Sequence, residues 1–203
     1  MRALKRFLLA LALGCALPLA PQLACAADAN ALGLKAGVFD PPRQAPDFTL
    51  RGSDGKELKL SSFRGKLVVL EFGYTSCVDV CPVSLAMLAQ ARKQLGALAE
   101  QVQVIYVTVD PERDTPERMK RYLGAFDPAI LGGSGTPEQL ARVRRDYGIS
   151  ANKKVIGPGK DDYVIGHSSY LYFIDRKGSL RALLPFGRTA NDVAHDAAIL
   201  LKN

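Results

Sequence analysis

Two apolar runs, LVVLEF at residues 67–72 and VQVIYVTVD at 102–110, restrict the fold of this chain more than any other feature. LVVLEF is nearly continuous, as a strand covered on both faces of a parallel sheet must be, and VQVIYVTVD reads as a second buried strand. From Pro82 the chain turns helical. Met87, Ala91, Leu95 and Leu98 fall on one stripe, with Arg92 and Lys93 outside it and Gly96 near the end. APDFTLRGSDGKELKLSSFRGK (45–66) gives a hairpin turning at Ser53-Asp54-Gly55. A helix begins near DTPERMKRYL, where Thr115 or Asp114 can cap and Pro116 suits the first turn. Another begins at Thr136-Pro137-Glu138-Gln139, a capping box. Tyr163–Asp175 and Ser179–Leu184 read as two strands joined at Arg176-Lys177-Gly178, and Thr189 to Leu201 as a closing helix. Buried strands separated by helices predict an α/β three-layer domain with an N-terminal β-hairpin.

The first residues belong to a different class. Arg2, Lys5 and Arg6 precede the apolar run FLLALALGCALPLA, and PQLACAAD follows. Basic start, short apolar stretch and small-residue site together read as a secretory signal over residues 1–26, with the cut after Ala26 or the segment kept as an anchor. Pro18 and Pro21 interrupt the run before it reaches the ~20 residues of a spanning helix. Gln22 stands where lipid attachment at Cys25 would prefer an aliphatic residue. Residues 27–44, rich in Ala, Gly and Pro, read as a flexible lead, and 45–203 as the folded domain. The expectation is an exported protein of the bacterial periplasm, close to or tethered to the inner membrane. No long apolar surface stripe is left over, so a monomer is expected.

Export settles the cysteines. Cys15 and Cys25 leave with the signal, and Cys77 and Cys81 remain; outside the cytosol such a pair is a disulfide unless something reduces it or a metal holds it. The net charge falls from +7 to +4 with Arg2, Lys5 and Arg6, too little and too scattered for nucleic acid. The cluster Arg142, Arg144, Arg145, Lys153 and Lys154 reads as a solvated face, or as a docking patch for an acidic protein.

GYTSCVDVCP (73–82) places Cys77 and Cys81 four residues apart at a strand-to-helix junction. On a helix that spacing puts both thiols on one face, and the helix N-terminus favours thiolate. Redox switch, metal clamp and structural staple all remain open on spacing alone. A thiolate pair suits Cu(I) or Zn; structural zinc would need a second pair, which is absent. A third ligand could come from His167, in YVIGHSSYLYFID, or His195, in DVAHDAAIL. His195 sits among small and charged helix residues, and His167 is the better candidate.

GYTSCVDVCP, TVDPERDTPE and GHSSYLYFIDRKG together resemble the signature stretches of the Sco/SenC family, from about Ala45 to the C-terminus. The resemblance implies a thioredoxin-like three-layer fold and a copper chaperone that helps to build the copper-A centre of cytochrome c oxidase. Its partner would be the copper-A subunit or another copper donor or acceptor. The family's copper ligands, for Cu(I) and Cu(II), fall on Cys77, Cys81 and His167. Asp110, of the Asp-Pro motif, becomes a candidate close to the metal, with turn chemistry as the alternative. Asp79 matches the family pattern and is expected to face solvent, whereas Val78 replaces a common Pro and Gly166 a common acidic residue.

Glu71 departs from that pattern. It lies six positions before Cys77, where thioredoxin carries a buried carboxylate. Either it points to water at a sheet edge, or it is buried, with a raised pKa, and accepts protons for the cysteine pair. The second case opens a thiol–disulfide oxidoreductase: Cys77 attacks a target disulfide, as in an apo-oxidase subunit, and Cys81 resolves it. The three-residue spacing and the missing Pro before the His167 strand weigh against that as the main role. A peroxiredoxin-type peroxidase has APDFTL and Thr75 in its favour, but Gly73 and Tyr74 replace the Pro-containing lead.

Overall fold

The computed structural model describes residues 30–203; the expected signal segment lies outside them. In chain order the elements are β1 (Gly37–Gln44), β2 (Thr49–Gly52), β3 (Glu57–Lys59), β4 (Leu67–Gly73), α1 (Val80–Leu95), β5 (Val102–Thr108), α2 (Pro116–Gly124), β6 (Leu131–Ser134), α3 (Pro137–Asp146), β7 (Ala151–Val155), β8 (Tyr163–His167), β9 (Tyr170–Ile174), β10 (Ser179–Pro185) and α4 (Ala190–Leu200). Eight strands form one mixed sheet in the order β1-β10-β9-β4-β5-β6-β2-β3. β4, β5 and β6 run parallel at its centre, and the remaining pairings are antiparallel.

The two apolar runs are β4 and β5, and their period-2 alternation builds both cores. Leu67, Val69, Val104 and Tyr106 join α1, α2 and α4 in one cluster. Val68, Leu70, Phe72, Ile105 and Val107 join α3 and Tyr147 in the other. The expected three layers are therefore present. Helix starts follow the side-chain chemistry. Thr115 caps α2, accepting from the Arg118 N–H, and Thr136 with Gln139 forms the full capping box of α3.

Four sequence expectations change. Residues 37–44 of the expected lead form β1, an edge strand on β10. The run 163–175 is two strands, broken at Ser168-Ser169: β9 stays in the main sheet, while β8 leaves it to pair with β7 as a separate hairpin. β6 and β7 had no strand signal. α1 begins at Val80, so Pro82 is its third residue, where the missing N–H still costs no intrahelical bond. Among the described residues no helix is long and apolar enough to cross a membrane.

One glycine in β4 is dictated by its neighbour. A Cβ on Gly73 would lie 2.1 Å from the Tyr106 hydroxyl and 2.6 Å from its Cζ, and Tyr106 is fully buried and has nowhere to turn. Gly73→Ala is expected to lower stability by about 1–3 kcal/mol through overpacking, read as a lower denaturant midpoint, with Tyr106→Phe recovering part of the loss. An unchanged midpoint would contradict this contact.

Candidate metal centre

Three segments meet where β4 ends. The loop after β4 carries Cys77, the first turn of α1 carries Cys81, and the last residue of β8 is His167. Cys77 is half-buried and Cys81 buried, and both thiols are free. Cys77 lies before the helix, in a turn whose N–H donates to the Tyr74 carbonyl at 3.3 Å. The two sulfurs are therefore brought together by a turn leading into α1 rather than by one helical face, as the spacing had suggested. Val78 and Asp79 between them are exposed, Val78 at 92%.

The Cys81 Sγ is 3.4 Å from the His167 Nε2. On the other side of the ring, Nδ1 is 2.9 Å from the Ser168 carbonyl, which can only accept. The proton therefore sits on Nδ1, and Nε2 presents a lone pair toward the sulfur, the arrangement that prepares a histidine to ligate. Burial lowers the His167 pKa, so the ring stays neutral near pH 7. Tyr74 packs edge-on against it, with centroids 5.9 Å apart, and its hydroxyl accepts from the Ile165 N–H of β8.

Burial pushes the Cys81 thiol up to about 12; the Tyr106 hydroxyl and the Tyr74 backbone oppose this, and the neighbouring Cys77 adds to it. The helix end does not prevail at this position, and Cys81 remains protonated until an electrophile takes its sulfur. Among the described residues, no three His, Cys, Asp or Glu side chains already form a closed ligand cluster. The donors fit a soft, thiophilic ion: two sulfurs in reach of one another and one neutral imidazole nitrogen.

Asp110 is 2% exposed, and both its carboxylate oxygens are engaged. Arg113 donates its Nε–H to one at 2.5 Å, and the Tyr163 hydroxyl donates to the other at 2.7 Å. Arg113 also stacks on the Tyr163 ring at 3.6 Å and donates to the Asp161 and Tyr163 carbonyls. Asp110 thus acts on the base of β8, the strand that ends in His167. His195 is not brought to this site; it lies in α4 against Asp196. The basic cluster is partly paired internally, Arg142 with Asp146 and Lys153 with Glu112.

Glu71 does not face water at a sheet edge. β4 lies between β9 and β5, and Glu71 is 3% exposed. Burial raises its pKa to about 8, with the Ser84 hydroxyl offsetting a part, and its Oε2 has no partner. Tyr106, its register partner on β5, places its buried hydroxyl beside the Cys81 thiol. Sequence reasoning missed Tyr106 and Asp114 as parts of the site. A Gly at position 73, ending an otherwise bulky apolar strand, was the available signal for the first, and none pointed to the second.

Comparison with known proteins identifies the family of the chain. The pattern that defines the SCO1/SenC family matches residues 39–202. A protein of Stutzerimonas stutzeri named for copper binding is 35% identical over 89% of this chain and 87% of its own length. The mitochondrial SCO2 homolog of Bos taurus is 37% identical over 72% of this chain but only 56% of its own length, so the chain spans little more than half of that relative. The structure of Bradyrhizobium japonicum ScoI with copper bound superposes with a TM-score of 0.71 at 37% identity, covering 78% of this chain and 99% of that one. Fold and sequence agree, and the chain belongs to the SCO1/SenC family.

Proposed function

We propose that this protein is a copper-binding metallochaperone, with Cys77, Cys81 and His167 as the ligands, that delivers copper to, or prepares, the copper-A site of cytochrome c oxidase. The contact between the Cys81 sulfur and a His167 Nε2 freed for ligation carries the reading. Relatives named for copper binding, and one seen with copper bound, support the choice of ion. Copper is cargo here. Transfer proceeds by ligand exchange, in which the acceptor's thiolates replace Cys77, Cys81 and His167 one at a time, and no substrate bond is made or broken. Cys77, half-exposed on the outer turn, is the donor an incoming thiolate reaches first. The same reading places residues 1–26 as an export signal or anchor and the domain in the bacterial periplasm, working as a monomer beside the membrane.

After copper-loaded protein is mixed with a reduced, metal-free copper-A domain, a mild one-electron oxidant such as ferricyanide should bring up the copper-A absorption spectrum, and His167→Ala protein should not support it at the same copper concentration. Copper retained by the wild-type protein, with no spectrum formed, would count against delivery.

Glu71 favours a second reading, a thiol–disulfide oxidoreductase acting on the cysteine pair of the apo-oxidase subunit. The Cys77 thiolate attacks the target disulfide and releases one target thiolate. Cys81 then displaces the other and closes a Cys77–Cys81 disulfide, its proton passing toward Glu71 in the fraction of molecules where that carboxyl is ionised, a fraction that grows as pH rises toward 8. The target is reduced and this protein oxidised. His167→Ala should leave that reaction intact, which separates it from copper transfer.

A further inference from the structure

The segment between β5 and α2 contains three carboxylates, of which Asp110 and Glu112 both engage the hairpin that carries His167, the latter through Lys153 of β7, and Asp114 does not. Asp114 is 0% exposed and does not cap α2; Thr115 does. Its carboxylate instead reaches across to the cysteine loop. Oδ2 accepts from the Thr75 N–H at 3.0 Å and from the Thr108 hydroxyl at 2.6 Å, and Oδ1 accepts from the Thr75 hydroxyl at 2.5 Å. Arg118, in the first turn of α2, donates to the Thr75 Oγ1 at 2.7 Å and to the Ser76 Oγ at 2.9 Å. Thr75 and Ser76 are the two residues directly before Cys77. The carboxylate is itself fixed, since the Asp114 N–H donates to the Asp110 carbonyl at 2.9 Å and Ser134 of β6 donates to the Asp114 carbonyl at 3.0 Å.

We propose that Asp114, acting through Thr75 and with Arg118 as its partner, is the positioning residue for Cys77. The β5–α2 segment then sets the metal site from both sides: Asp110 and Arg113 hold the strand ending in His167, and Asp114 and Arg118 hold the backbone entering Cys77. The spacing of donors for copper is fixed by a rigid segment that contributes no ligand. This deepens the copper reading and rests on it. The chemistry of the clamp is specific. A carboxylate offers only acceptors to these three donors, whereas an Asn would turn an NH₂ group toward one of them. A Val at position 75 keeps the shape and the N–H bond but loses the hydroxyl between Asp114 and Arg118, and a Ser keeps both bonds.

The test uses the reduced protein in wild-type, Thr75→Ser, Thr75→Val and Asp114→Asn forms. Cu(I) affinity is measured against a competing chelator, iodoacetamide labelling of Cys77 and Cys81 is followed on the metal-free protein, and melting temperature is recorded for each. Thr75→Val and Asp114→Asn are expected to weaken Cu(I) binding by roughly 10–100-fold, the usual loss when the support of a ligand is removed. They should also expose Cys81 to labelling that is confined to Cys77 in the wild type, while Thr75→Ser keeps wild-type values in both. Affinity and labelling unchanged in Thr75→Val and Asp114→Asn, even with a lower melting temperature, would overturn the proposal and leave Asp114 a purely structural residue. Should Asp114→Asn fail to fold, the Thr75 pair decides. Should the wild type bind no Cu(I), the copper reading fails, and the labelling series still decides whether Asp114 positions the cysteine loop.

Discussion

Cys81→Ala is expected to weaken Cu(I) binding by at least about a hundredfold, taking the ~10–16 kcal/mol of a complete thiolate-rich site as shared among its ligands. The protein should still fold. Cys81 is a small side chain at the edge of the core, 1% exposed, and removing its sulfur costs about 1 kcal/mol. In the proposed ligand set its effect on copper is large because Cys81 lies between the other two, with His167 at 3.4 Å on one side and Cys77 on the other. His167→Ala removes the only nitrogen donor and should weaken binding less, since the sulfur pair survives. Affinity should also rise with pH in the wild type, because the ion must displace the proton that burial holds on Cys81. Competition titrations of the three proteins at several pH values would measure both effects. Equal affinities for wild type and Cys81→Ala would remove this thiol from the site.

The second large effect concerns Glu71 and stability. Its folded pKa of about 8 lies above the ordinary 4.5, so the folded state keeps a proton that the unfolded chain releases. Its contribution is therefore fully present below about pH 4.5 and is lost as pH rises toward 8. A shift of that size corresponds to up to about 5 kcal/mol, a large share of a domain's total stability. Glu71→Gln carries no charge to bury. The variant and wild type should be close in stability at pH 4.5, and the variant should gain steadily, to several kcal/mol, by pH 8.5. Urea unfolding of both reduced proteins across that range would show it, and parallel curves would contradict the burial of this carboxylate. The same substitution separates the two functional readings. Copper affinity should not change with Glu71→Gln, whereas an oxidoreductase drawing on this carboxylate should slow.

The elements legible in the sequence were those with strong local signals. LVVLEF and VQVIYVTVD could be placed because strands covered on both faces must be apolar throughout. The helices starting at Pro116 and Pro137 announced themselves by Thr, Pro and capping chemistry. β6 reads LGGS and β7 reads ANKKV, the one glycine-rich and the other largely exposed, so neither has the composition of a strand, and tertiary pairing makes them so. β1 contains two adjacent prolines and survives only as an edge strand. The break after His167 rests on Ser168 bonding back to Ser150, a contact that sequence spacing does not carry.

At the site, chemistry was more legible than geometry. The cysteines and His167 stand out by residue type, and the family resemblance joined them. That Cys77 lies outside the helix followed from where α1 starts, and helix boundaries are poorly marked when no side chain caps them, as none does at Asp79. Glu71 could be read as edge or interior because its side of β4 depends on the whole sheet order. Asp114 looked like a helix cap and proved to be a long-range anchor for Thr75, 39 residues away.

The most direct test of the copper reading is an anaerobic Cu(I) titration of the reduced protein against a competing chelator, with Cys77→Ala and His167→Ala alongside. The account predicts one tight equivalent, lost in Cys77→Ala and clearly weakened in His167→Ala. No tight binding by the wild type, with the pair still cycling readily between thiol and disulfide, would contradict it and leave the Glu71-assisted reductase in its place.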